Sequence, residues 1–459
     1  MLTVGRARVS STYLTQNWKK ITNVEVAKRW KATAARNVVL IDGVRTPFLM
    51  AGTDYKNLMA HDLARMALQG IAQRTGIDKS IVDHVVMGTV IQEVRTSNIA
   101  REAMLSAGYS DRIPCHTVTM ACISSNVAMT TAACQLLSGQ SDVVIAGGVD
   151  FMSDVPIRVS RGMRKKLLEM NKAKTLWQRL GLLAGIGFKN ISLELPAVSE
   201  FSTNETMGHS GDRLAAAFEI SRQEQDDYAR RSHQLAHDAF QNGYLDDILS
   251  ITVPGKLTMV KSDNGVRVST EKQMAKLRPA FIRPHGTITA ANASYLTDGA
   301  SATLLMTEAK AKELGLKPKA YIRDFTYTSV DPKDQLLLGP AYVTPLILEK
   351  AKLKLSDIDV FEYHEAFAGQ ILANLKAMDS ATFCQRQMGR KEKVGAIPIE
   401  KLNTWGGSLS IGHPFGATGC RLVTTAANRL IKENGKYALV AACAAGGQGS
   451  GIIVERYPS

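Results

Sequence analysis

One pattern in this chain occurs twice. Ile77-Asp78-Lys79-Ser80-Ile81-Val82-Asp83 leads into Val85-Val86-Met87-Gly88, and far downstream Leu355-Ser356-Asp357-Ile358-Asp359 leads into Val360-Phe361-Glu362-Tyr363. The surroundings repeat in the same order. In the first copy, Asn37–Asp42 reads as a buried strand, Leu58–Arg74 as a helix and Val82–Met87 as a strand. Ser125–Ser138 follows as an Ala- and Thr-rich helix, then Val143–Ala146 as a strand ended by Gly147-Gly148. In the second copy, Ala320–Phe325 reads as a strand, Pro345–Ala351 as a helix and Ile358–Tyr363 as a strand. Gly416–Ile431 then reads as a helix and Tyr437–Ala442 as a strand. This predicts an α/β fold built from two similar β-α-β halves packed back to back. A 459-residue chain with 45% apolar residues and 36 glycines can bury such a core.

Residues 156–286 break the rhythm, mixing a helical pattern at Gln223–Gln241 with loops punctuated by Pro and Gly. They predict an insertion carried on the first half. Thr287–Met306 then reads as turn, helix and apolar strand, returning to complete that half. The expected division is a basic tail (1–36), a first half (37–155 with 287–318), an inserted loop domain (156–286) and a second half (319–459).

The net charge of +14 is local. Residues 1–36 hold eight Lys/Arg against one acid, Glu25; residues 158–189 hold nine against Glu169. The remainder is near neutral, which argues against a general nucleic-acid-binding surface. The first 36 residues are basic, bear Ser and Thr, and lack an apolar signal core. They predict a mitochondrial transit peptide, with a plain basic tail as the alternative. No apolar run approaches the roughly 18 residues of a membrane span. The six cysteines show no C-x-x-C pair and no zinc spacing, so free thiols are expected. Cys115, Cys134, Cys384 and Cys420 read as small buried hydrophobes.

Two cysteines and two histidines stand where strands give way to turns. Cys122 follows the β-like His116–Met120 and precedes Ser124 and Ser125, good helix N-caps. A thiol there is expected to feel the helix dipole, which lowers its pKa. A lone cysteine at a helix start is also often structural. His413, in Gly412-His413-Pro414, reads as a tight turn that displays its imidazole and could take a proton from a cysteine. Cys443 ends an apolar strand before Ala-Ala-Gly-Gly-Gln-Gly, where backbone N–H groups are free to face an oxyanion.

Taken jointly, these motifs resemble the thiolase family over about residues 37 to 459. The resemblance rests on the Cys122 context, His364-Glu365-Ala366-Phe367, Gly412-His413-Pro414, Cys443-Ala444-Ala445-Gly446-Gly447 and Asn292–Ala300. It implies a thiolase fold, with central helices between sheets, and an acyltransferase that cleaves 3-ketoacyl-CoA with CoA. By resemblance Cys122 is the nucleophile, His413 activates it, Cys443 is the general acid/base and His364 belongs to the oxyanion site. The amides of Cys122 and Ala445 form a second oxyanion hole, and Met207 and Ser294 line the pantetheine tunnel. No metal or redox cofactor is implied, since CoA is itself a substrate. A homodimer core is implied.

The chain departs from the common family pattern in two places. Most members carry Asn where His364 stands, and Gly where Ala445 stands; a methyl there is expected to restrict φ and narrow the site. These departures resemble the branch of the family that serves long-chain fatty-acid β-oxidation in mitochondria. That branch pairs with an α-subunit carrying enoyl-CoA hydratase and 3-hydroxyacyl-CoA dehydrogenase activities at the inner membrane. Met163, Leu167, Met170, Trp177 and Leu180 fall on one predicted helical face, interrupted by Lys174, with Lys165, Lys172 and Arg179 roughly opposite. Leu180–Phe188 adds a short apolar stretch. Segment 161–190 is therefore expected to touch an anionic membrane peripherally, with a subunit interface or a lid over the acyl tunnel as alternatives. A condensing ketoacyl synthase has no need of Cys443, and a non-catalytic lipid carrier should lack one of the four residues.

Overall fold

The computed structural model describes residues 36–184, 186–187, 191–196 and 199–458. Of the basic segment 1–36 only Arg36 falls among them, paired with Asp142 at 2.9 Å; the expected transit peptide otherwise lies outside the described residues.

The strands are β1 (Val38–Arg45), β2 (Leu49–Met50), β3 (His84–Gly88), β4 (Cys115–Val118), β5 (Val143–Asp150), β6 (Arg158–Val159) and β7 (Leu193–Glu194). Then come β8 (Thr297–Thr307), β9 (Ala320–Ser329), β10 (Val360–Tyr363), β11 (Tyr437–Ala444) and β12 (Gln448–Arg456). The principal helices are α1 (Ala60–Thr75), α2 (Ser124–Ser138), α3 (Arg161–Lys172), α4 (Leu176–Ala184), α5 (Met207–Ala217), α6 (Arg222–Gln241), α7 (Gly339–Ala351) and α8 (Thr418–Lys432).

The repeat read from sequence is a repeat of topology. In the first half β3 runs parallel to β5, β5 antiparallel to β8, and β8 antiparallel to β1. In the second, β10 runs parallel to β11, β11 antiparallel to β12, and β12 antiparallel to β9. The halves join where β1 meets β9 over the pairs Val39↔Tyr321 and Leu40↔Ala320. β4 extends the first half by one more parallel strand.

Alternation along each strand decides the layering. Val39, Val85 and Ile145 pack under α1 on the outer face of the first half. Their neighbours Leu40, Val86 and Val144 face a central cluster containing Met129, Ala132 and Leu136 of α2 and Leu422, Val423 and Ala426 of α8. Val440, Ala442 and Ile452 of the second half close that cluster from the other side. Leu439 and Ile453 turn outward beneath α7. The order is thus outer helices, sheet, two central helices, sheet, outer helices. Strands covered on both faces are why the sequence shows unbroken apolar runs such as Val143–Ala146.

Several expectations need correction. No helix forms between Thr287 and Leu296: the backbone there bonds to a neighbouring loop instead, with the Ser294 amide on the Ala366 carbonyl at 3.0 Å and the Ala368 amide on the Asn292 carbonyl at 3.0 Å. Helix α7 begins at Gly339, six residues before Pro345, which lies inside it. β5 continues through Gly147 and Gly148 to Asp150, because β8 pairs with it along its whole length. A Cβ at Gly148 would stand 1.7 Å from the Gly416 carbonyl oxygen, so glycine is what lets the halves approach there. Cys384 and Cys420 are buried, but Cys115 is half-buried and Cys134 is exposed.

The insertion emerges from the first half, yet Leu214 and Ala215 of α5 and Tyr228 and Ala229 of α6 join the apolar core of the second. The amphipathic segment forms two helices, because α3 ends at Lys172 and α4 starts at Leu176. Its single expected face is therefore split. Leu176, Trp177, Leu180 and Leu183 of α4 are all exposed, as are Leu167 and Leu168 of α3. The short apolar stretch lies partly outside the described residues.

Candidate active site

Cys122 sits in the turn between β4 and α2. Ala121, just before it, adopts φ 46°, a left-handed conformation costly for a residue with a Cβ. Ser124 holds the turn: its Oγ accepts the Met120 amide at 2.8 Å and donates to the Ala121 carbonyl at 2.7 Å. Helix α2 starts only at Ser124, two residues past the nucleophile candidate. The expected dipole-lowered pKa is not found. Burial, with the Asp150 carboxylate second, pushes the Cys122 thiol up to about 12, opposed by the Ala445 and Cys122 amides. The thiol therefore rests protonated and needs a base.

His413 is buried, contrary to the exposed turn expected; only 2% of it is accessible. Gly412 turns the chain at φ 110°, and the Thr297 hydroxyl accepts the His413 amide at 3.0 Å. Its Nδ1 lies 2.7 Å from Thr418 Oγ1, which in turn donates its proton to the Pro414 carbonyl at 3.0 Å. Thr418 must then accept from Nδ1–H, which leaves Nε2 a bare lone pair. Burial first, then the His364 ring and the Arg421 cation, holds the His413 pKa well below its usual value.

His364 follows β10 and extends its ladder, donating its amide to the Ala441 carbonyl at 2.9 Å. It is fully buried, with its ring centroid 4.1 Å from that of His413. Its Nδ1 contacts Ser408 Oγ at 2.9 Å. Nε2 of both rings lacks a hydrogen-bond partner within the chain. Burial and Arg421 push the His364 pKa down to about 3. A ring nitrogen of each histidine and the Cys122 sulfur lie within 4.8 Å of one another. Among the described residues this is the one cluster whose residue types could ligate a soft divalent ion.

Cys443 pairs with Gly449 in the β11–β12 hairpin and is buried. Burial, and next the proximity of Cys122, raise its thiol pKa, so the two sulfurs share one site. In the hairpin turn the left-handed positions are Gly446 (φ 84°) and Gly447 (φ 69°). Ala445 is outside that region, so its methyl carries no backbone strain, and its amide opposes the upward shift of the Cys122 thiol.

Ser294 adjoins this group through its amide bond to Ala366, and Leu296 bridges to His413. Met207 opens α5 and packs, half-buried, against the second-half core.

Sequence reading missed the supporting residues. Asp150 is fully buried, accepts the amides of Val90 at 3.1 Å and Ile91 at 2.8 Å together with that of Gly416, and is raised to about 6 by burial. Arg421, also buried, donates to Ser408 Oγ at 2.9 Å. Glu365 accepts from Tyr228, Ser232 and Asn403, fixing the loop that carries His364. The only signal was a charged residue closing or interrupting an apolar run, which sequence alone does not separate from a surface position.

Family models of the thiolase N-terminal and C-terminal domains match residues 38–309 and 316–456. The chain is 67% identical over 423 residues to the bovine (Bos taurus) mitochondrial trifunctional enzyme subunit beta, covering 92% of this chain and 89% of the other. It is 59% identical over 422 residues to a probable 3-ketoacyl-CoA thiolase of Caenorhabditis elegans, covering 92% and 94%. The crystal structure of human mitochondrial 3-ketoacyl-CoA thiolase superposes with a TM-score of 0.80 at 28% identity, over 92% of this chain and all of that one. With both domains matched and the fold shared, the chain belongs to the thiolase family.

Proposed function

We propose that this chain is a long-chain 3-ketoacyl-CoA thiolase of mitochondrial fatty-acid β-oxidation. It cleaves 3-ketoacyl-CoA with CoA, giving acetyl-CoA and an acyl-CoA two carbons shorter. The observation that carries this reading is one site that gathers a half-buried thiol, Cys122, with two buried imidazoles kept neutral and a second, buried thiol, Cys443.

Because Cys122 rests protonated, its proton passes to the bare Nε2 of His413 as the sulfur attacks the 3-keto carbon. The oxyanion forming there faces the amides of Cys122 and Ala445. Its collapse breaks the C2–C3 bond and leaves an acyl group on Cys122. The electron pair moves onto the thioester as an enolate, whose oxygen faces His364. Cys443 gives its proton to C2, releasing acetyl-CoA. The Cys443 thiolate then takes the thiol proton of incoming CoA. The CoA thiolate attacks the acyl-Cys122 carbonyl, and Cys122 leaves, recovering its proton from His413. Ser294 and Met207 would flank the pantetheine arm; the hydrogen bond from Ser294 to the His364 loop supports the first of these.

CoA-dependent cleavage of 3-ketopalmitoyl-CoA is the direct test. It should fall to background in Cys122→Ala; cleavage without CoA, or full activity in that variant, would overturn the reading.

The bovine relative's name, a mitochondrial trifunctional enzyme subunit beta, supports a mitochondrial location and a partner α-subunit; the family resemblance gives that partner the hydratase and dehydrogenase activities. A homodimer of the thiolase type would form its core. No helix among the described residues is long and apolar enough to cross a membrane. The exposed apolar residues of α4 beside a basic α3 favour peripheral contact of 161–190 with the anionic surface of the inner membrane.

A further inference from the structure

We infer that Arg421 and Ser408 fix the proton of His364 on Nε2, turning this imidazole into a hydrogen-bond donor for the enolate oxygen. The inference rests on the thiolase reading above and makes both residues positioning residues for one step of it.

The assignment follows from what each group can give or take. A guanidinium has donors only, so Ser408 Oγ accepts from Arg421 Nη2 across their 2.9 Å contact. The same oxygen lies 2.9 Å from His364 Nδ1. Ser408 is fully buried, and the proton of its hydroxyl goes to that nitrogen. With Nδ1 accepting, the neutral ring carries its proton on Nε2. His413 is held the opposite way by Thr418, whose own proton is committed to the Pro414 carbonyl. Two rings 4.1 Å apart thus present unlike faces to one thiol: a lone pair from His413 and an N–H from His364. One is a base for Cys122 and the other a donor for an oxygen. The same placement argues against a metal across Cys122, His364 and His413, since His364 turns a proton and no lone pair toward the cluster.

Arg421 serves this arrangement at a cost to itself. Its Nε and Nη1 have no hydrogen-bond partner, and its closest carboxylate contact, to Glu362, is 3.7 Å. A buried cation this short of partners contributes little to stability. It keeps a positive charge near both rings, which opposes an imidazolium at rest, and it orients the hydroxyl that orients His364.

Two reactions separate this role from a structural one. Thiolysis of 3-ketopalmitoyl-CoA passes through the enolate. Exchange of labelled CoA into palmitoyl-CoA uses Cys122, His413, Cys443 and the amide oxyanion hole, but forms no enolate. Ser408→Ala should lower the kcat of thiolysis about 10- to 100-fold, the size of loss seen when a partner orienting a metal-bound histidine is removed. Exchange should stay within about three-fold of the unaltered chain, and it reports that the variant is folded. Ser408→Thr keeps the hydroxyl and should restore thiolysis. Equal losses in both reactions, or thiolysis untouched in Ser408→Ala, would overturn the proposal. Absence of both reactions in the unaltered chain would instead overturn the thiolase reading beneath it.

Discussion

At the scale of single residues, the site is held by charges that the sequence hides. Asp150 closes an apolar strand and binds two amides from one loop of the first half and, through Gly416, one from the second. Its negative charge also raises the Cys122 pKa. Asp150→Asn should therefore have two effects of opposite value. An amide offers one accepting oxygen to several donors and sets its NH2 against the others, so urea unfolding should show a loss of about 1–3 kcal/mol. With the carboxylate gone the thiol pKa drops, and iodoacetamide should label Cys122 faster at pH 8 than in the unaltered chain. Slower labelling would mean that the carboxylate acts on Cys122 through geometry alone. Ala445 carries a different lesson. Its methyl was expected to restrict φ and narrow the site; the left-handed positions fall on Gly446 and Gly447, so the methyl meets no left-handed backbone there.

At the scale of elements, strands covered on both faces were legible because burial leaves only apolar residues there, and Val38–Arg45 and Val143–Asp150 differ from their reading mainly in length. Cys122, His364, His413 and Cys443 stood out because each lies in or beside a turn of distinctive small residues, and the first three cluster in the structure. What stayed hidden depends on partners distant in sequence. The segment before β8 looked helical, but its amides and carbonyls are taken by the His364 loop. Likewise, nothing local shows that His413 is enclosed by Thr297, Thr418 and the His364 ring. The insertion is the converse case: its amphipathic pattern was visible, and the break at residues 173–175 reshapes it into two helices. On α4, Leu176, Trp177, Leu180 and Leu183 stand at helical spacing, with Trp177 82% exposed. Trp177 fluorescence should shift to the blue on addition of cardiolipin-rich vesicles and stay unchanged with neutral ones. Deleting 161–190 should abolish sedimentation with the anionic vesicles; unchanged sedimentation would assign this segment to a subunit interface or a lid.

At the scale of the whole molecule, packing two halves around a shared helical layer buries histidines that must remain neutral, and this makes folding depend on pH. His364 falls to about 3 and His413 well below its usual value, in each case chiefly through burial; His233, on α6 of the insertion rather than at that layer, falls to about 4 for the same reason. An unfolded histidine titrates near 6.5. A group whose folded pKa is depressed stabilises the fold fully above the unfolded value and loses that contribution as pH falls toward the folded one. For His364 the window runs from about 6.5 down to about 3, with a slope of about 1.4 kcal/mol per pH unit once the unfolded ring is charged. Asp150 works against this trend, because its folded pKa is raised to about 6 and its protonation on acidification favours the fold. A difference between two chains isolates the histidine from that background. His364→Asn removes the titration and keeps a polar side chain, so its unfolding free energy from urea titrations should decline less steeply than that of the unaltered chain between pH 6 and 4, by about 1.4 kcal/mol per unit. Above pH 7 the two stability curves should run parallel. Parallel curves throughout would place a protonated His364 in the fold at pH 5, and with it a rearrangement of Ser408 and Arg421 that frees the ring to reach water.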